Sequence, residues 1–97
     1  MSTSASPPSS MPKIDFSTFV LSLVGSAFVH LGDSPDPDGR EGRDLDLARQ
    51  DIDLLGLLEE KTKGNLTGEE ERLLQQALYD LRLRWVEVAK AAGRTDV

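Results

Sequence analysis

Phe16 to Leu31, FSTFVLSLVGSAFVHL, runs for sixteen residues without an Asp, Glu, Lys or Arg. No other stretch constrains the fold as much. Asp15 before it can accept from the free N–H groups of a first helical turn. Gly32 after it can take the left-handed conformation that ends a helix. Phe16, Phe19, Val20, Leu23, Val24, Ala27, Phe28 and Leu31 recur at helical spacing and form one broad apolar face. A surface helix would be polar on the opposite side. Here that side holds Leu21 and Val29, interrupted only by Thr18, Ser22, Gly25, Ser26 and His30. A helix apolar all round buries itself in protein or in lipid. Sixteen residues at about 1.5 Å each span about 24 Å, short of the roughly 30 Å hydrocarbon core of a bilayer. No basic cluster flanks the run on one side. Burial against protein is the expectation.

Around this helix the chain divides into a tail, a connection and two further helices. Residues 1–12, MSTSASPPSSMP, have no apolar period and are expected to form a disordered Ser- and Pro-rich tail. A single helical domain is expected over residues 13–93. After Gly32, DSPDPDGREGRD carries two prolines and two glycines that forbid regular structure. Its Asp36-Pro37-Asp38-Gly39 invites comparison with a calcium loop, but the first and twelfth ligands would be Ser34 and Leu45, so a solvated turn accounts for it better. A second helix is expected over about 44–63. Leu45, Ala48, Ile52, Leu55, Leu58 and Thr62 recur three and four apart, with Leu47, Leu54 and Leu57 widening or flanking the stripe. Arg49 and Asp53 could pair across one turn. Gly56 sits inside this helix and is expected to mark close approach of another backbone, with Gly25 as its counterpart. Thr67 with Glu70 is a capping box, and it opens a third helix over about 68–92. There Leu74, Leu78, Leu81, Trp85, Val88 and Ala92 alternate four and three apart. Residues 94–97 should fray.

The short connection around Gly64 makes the second and third helices an antiparallel hairpin. The first helix lies in the groove of that hairpin. Two amphipathic helices cover only one side of it, and so small a structured region buries little surface alone. The fold class expected is therefore all-α: a three-helix unit with a central apolar helix and an antiparallel hairpin, completed by dimerisation into a helical bundle. The expected interface residues are Thr18, Leu21, Ser22, Gly25, Ser26 and Val29. The small ones among them let two first helices cross closely.

The strings FSTFVLSL, VHLGDSPDP, DLARQDIDLLGLLEEKTKGNLT and EEERLLQQALYDLRLRWVEV resemble a small bacterial family, the domain of unknown function 1844 family. The resemblance extends from about Ile14 to Val88. The segment DGREGRD and both tails depart from it. It implies a fold and no particular activity, because the family carries no assigned one.

Composition and motifs bound the chemistry. Seventeen acids against eleven bases, a net charge of −6, argue against nucleic acid and against docking on anionic lipid. The absence of cysteine excludes disulfides and thiolate zinc sites and fits a reducing cytoplasm. His30, the single histidine, is a candidate polar site. Asp33 is near it in sequence, but a histidine at a helix end is commonly a cap or a packed polar group. Arg82 and Arg84 beside Trp85 could serve a nucleic acid base, yet Trp85 lies on the apolar seam and reads as core. No phosphate loop, nucleophile elbow or metal spacing is present, so no catalytic residue, cofactor or metal is expected. The function expected is a non-catalytic oligomeric interaction or assembly module in the cytoplasm, with a protein partner. The competing reading is a membrane-associated protein using Phe16–Leu31.

Overall fold

The computed structural model describes residues 14–39 and 42–93. The tail expected over 1–12 and the frayed end expected over 94–97 lie outside the described residues. Among the described residues the chain is three helices and no strand.

Asp15 accepts from the Thr18 N–H at 2.8 Å, and α1 (Phe16–Leu31) starts there. It ends at Gly32, whose φ of 85° suits glycine best. The Gly32 N–H donates to Val29 O at 3.0 Å and the Asp33 N–H to Phe28 O at 2.9 Å. These two bonds close the helix with a Schellman motif and satisfy carbonyls that the last turn leaves free. Asp44 caps α2 (Leu45–Thr62) by accepting from Leu47 N–H at 3.0 Å. The capping box of α3 (Gly68–Ala91) forms in both directions: Thr67 Oγ1 accepts from Glu70 N–H at 3.1 Å and Glu70 Oε1 from Thr67 N–H at 2.8 Å. α2 and α3 begin and end within one residue of the spans expected from periodicity and caps, and α1 matches its span.

The helices run up, down and up. The Asp44 N–H donates to His30 O at 2.8 Å, and Asp51 meets Ser26 and His30, so rising numbers on α2 meet falling numbers on α1. The Trp85 indole N–H donates to Leu45 O at 2.9 Å, while Arg82 lies by Gly56; α3 is thus antiparallel to α2. The common core is Val20, Ala27 and Leu31 of α1, Leu45, Ala48, Ile52 and Leu55 of α2, and Leu74, Leu78, Leu81, Trp85, Val88 and Ala89 of α3. Phe16, Leu23, Val24 and Phe28 pack on its edge, half-buried.

Three expectations are revised, and the turn expected over residues 36–39 is present. Phe19, placed on the apolar face, is 45% exposed, because it sits about 100° round the helix from Val20, at the edge of the buried arc. Gly25 and Gly56 are not packed on each other. A Cβ on Gly25 meets nothing within 4 Å, and one on Gly56 meets the Arg82 guanidinium. Arg49 forms no ion pair with Asp53; its guanidinium carbon lies 5.0 Å from the centroid of the Trp85 ring, a cation–π contact. Asp36 and Asp38 form a turn: Asp36 Oδ1 accepts from Asp38 N–H at 2.8 Å and Asp36 O from Gly39 N–H at 2.9 Å.

Candidate functional site

Two features of α1 bear on function: its outward face, and a polar cluster at its C-terminal end. Thr18, Leu21, Ser22 and Gly25 are exposed, and Ser26 and Val29 are half-buried. Leu21 keeps 53% of its surface in water. Ser22 Oγ donates to Phe19 O of its own helix at 2.8 Å, so its hydroxyl is already satisfied and presents little polarity outward.

The face continues onto α2. Leu47, Asp51, Leu54 and Leu58 form one row, four and three residues apart. Asp51 in that row touches α1, which places Leu47 and Leu54 along the same seam. Leu47 is 41% exposed and Leu54 46%. Leu47 also shares the wall of one surface concavity with Val29 and His30. The outward surface of the α1–α2 pair is therefore apolar or small at Phe19, Leu21, Gly25, Val29, Leu47 and Leu54.

Behind it sits the polar cluster. His30 Nδ1 lies 2.6 Å from Asp51 Oδ2, and Ser26 Oγ reaches the same oxygen at a long 3.5 Å. A carboxylate only accepts, so with Asp51 in that form the ring donates from Nδ1. Asp51 is 9% exposed, and a buried carboxylate needs such donors. Periodicity alone did not find Asp51, because it flanks the stripe like the other acids of α2. The signal available was a lone histidine on an otherwise uncharged helix. Asp33, the acid nearest in sequence, goes elsewhere: Arg84 Nε and Nη2 donate to its two oxygens at 2.8 Å each. Arg84 also donates to Glu87 at 3.3 Å, so it is engaged in ion pairs and is not placed for a base.

Chemically, an Asp–His pair orients an imidazole, but nucleophilic chemistry needs a third group within reach of the other nitrogen. Here Ser26 and His30 both turn to Asp51 and not to each other. Among the described residues no further polar side chain hydrogen-bonds the imidazole, and no group of three or more His, Cys, Asp or Glu could hold a metal ion. The pair joins α1 to α2. Replacing His30 with Ala strands Asp51, and a loss of about 1–2 kcal/mol in urea unfolding is expected. His30→Leu combined with Asp51→Leu should recover most of it.

Two aspartates give a pH signature. The Thr18 backbone N–H holds the Asp15 carboxyl below its ordinary range. The Arg84 guanidinium does the same for Asp33, and Asp33 in turn raises Arg84. A carboxyl depressed in the folded state stabilises the fold above its unfolded pKa, and that contribution is lost as pH falls through the folded one. Urea midpoints should therefore decline below about pH 4. Arg84→Gln should make the decline shallower by removing the Asp33 contribution.

Taken as geometry, this is a small all-helical unit in which one nearly uncharged helix docks on an antiparallel hairpin and leaves an apolar outer face. The family model described as Domain of unknown function (DUF1844) matches residues 13–87. The chain belongs to that family, as the resemblance implied. Among curated proteins and solved structures, nothing matches it.

Proposed function

We propose that this chain is a non-catalytic interaction module that assembles with a second copy of itself through the outer face of α1 and the adjoining leucines of α2. The observation that carries the reading is the apolar α1–α2 surface left in water at Phe19, Leu21, Leu47 and Leu54. Covering apolar area returns about 25 cal/mol per Å². A two-fold contact would cover the same face on both copies at once. Charge favours this face as well. The chain carries −6, so two copies repel, yet Phe16–Leu31 contains no acid and lets them meet where repulsion is least. Ser22 and Gly25 permit close backbone approach at the crossing.

The competing reading is peripheral membrane attachment through the same apolar positions. No helix among the described residues is long and apolar enough to cross a membrane. Light scattering after size exclusion at micromolar concentration tests the proposal, and a dimer mass is expected. A clean monomer mass overturns it. Co-sedimentation of that monomer with liposomes would transfer the face to the membrane reading.

A further inference from the structure

Arg82 and Arg84 lie two residues apart on α3 and serve different ends. Arg84 is committed to Asp33 and Glu87. Arg82 lies across α2, its Nη2 3.3 Å from where a Cβ on Gly56 would sit. Glycine inside a helix is destabilising, and here it leaves room for a guanidinium against the α2 backbone. Arg49, about two turns earlier on α2, lies over the Trp85 ring. Packing, not a counter-ion, positions both groups. Among the described residues neither Arg49 nor Arg82 has an ion pair or a hydrogen bond, in a chain with six more acids than bases (17 against 11).

Both arginines line one concavity between α2 and α3, together with Ile52, Asp53, Trp85 and Val86. Ile52 and Trp85 are buried and Val86 is half-buried, so the floor is apolar. The rim carries two positive charges and one negative, Asp53. We propose that this concavity binds an acidic peptide segment of a partner protein. A carboxylate of the peptide meets Arg49 and Arg82 at the rim, and a neighbouring apolar side chain rests on Val86, the half-buried apolar residue of the lining. Guanidinium groups match carboxylates through paired N–H donors. A concave apolar floor with a few convergent polar groups is the usual form of a ligand site. Two arginines are too few for a polyphosphate chain, which needs clustered cations, but are enough for a single carboxylate. The site lies on the α2–α3 side, away from the α1–α2 face, and does not depend on self-association.

Trp85 is the only tryptophan, so intrinsic fluorescence reports on this site directly. The full chain is titrated with the capped peptides EELFEE and QQLFQQ and with a ten-base thymidine oligonucleotide. Calorimetry runs in parallel in case emission is unchanged on binding. Saturable binding of EELFEE is expected, weaker at high salt, and about tenfold weaker for QQLFQQ and for Arg49→Gln or Arg82→Gln. Circular dichroism and mass should be unchanged in both variants, since both side chains are exposed. No heat and no emission change with EELFEE, equal binding of the neutral peptide, equal binding by both variants, or tighter binding of the oligonucleotide would each overturn the proposal.

Discussion

Leu55→Ala is expected to lower the unfolding free energy by about 3–4 kcal/mol, as full burial of leucine in a packed core implies. Leu55 is 0% exposed and belongs to the cluster shared by all three helices. Truncation removes apolar contact and leaves a void that rigid neighbours fill only partly. A domain of this size holds only about 5–10 kcal/mol in total, so the variant should lose a large part of its cooperative urea transition. Leu57, two residues on, supplies the control. It is 50% exposed, and Leu57→Ala should change stability by about 0.5 kcal/mol or less in the monomer. Both are compared at one protein concentration, because self-association adds a concentration-dependent share to stability. Equal effects at the two positions would mean that Leu55 does not sit at the centre of the core.

That contrast within one helix also marks what periodicity can and cannot read. Leu45, Ala48, Ile52 and Leu55 are legible as the buried row because their spacing keeps them on one side of any straight helix. Helix ends are legible because Asp15, Gly32 and the Thr67–Glu70 box act within a few residues of themselves. The partners of His30 and Arg84 are not legible in this way. Asp51 is 21 residues from His30, and Asp33 is 51 from Arg84; both pairings exist only after the helices have docked. Arg49 shows the same limit from the other side. Local spacing offers it Asp53, but docking of α3 brings the Trp85 ring, and the ring takes the guanidinium. Phe19 and Leu54 belong to the edge of an apolar arc, where a few degrees of helix rotation decide between core and water. Those edge residues, together with the outward positions of α1, make up the surface proposed for assembly.

Gly25 separates folding from assembly. A Cβ there meets nothing within 4 Å, and the residue lies inside α1. Gly25→Ala should therefore stabilise an isolated chain by about 1 kcal/mol, through helix propensity alone. In a dimer whose α1 helices cross at Ser22 and Gly25, the same methyl is added twice at the closest point and works against association. Gly25→Leu enlarges that conflict, since overfilling a close contact costs about 1–3 kcal/mol. Ser22→Arg sets two like charges against each other at the crossing. For these two variants the dissociation constant should rise about 100-fold, equivalent to about 2.7 kcal/mol, while circular dichroism shows full helix content. Sedimentation across a concentration series reads the mass, and urea unfolding at low concentration reads the fold. Opposite signs in the two measurements are what a close helix crossing demands. If Gly25→Leu tightens association, the copies meet elsewhere on the apolar surface, and the leucines at 47 and 54 become the positions to vary. If Ser22→Arg leaves the mass of a dimer unchanged, α1 is not at the interface.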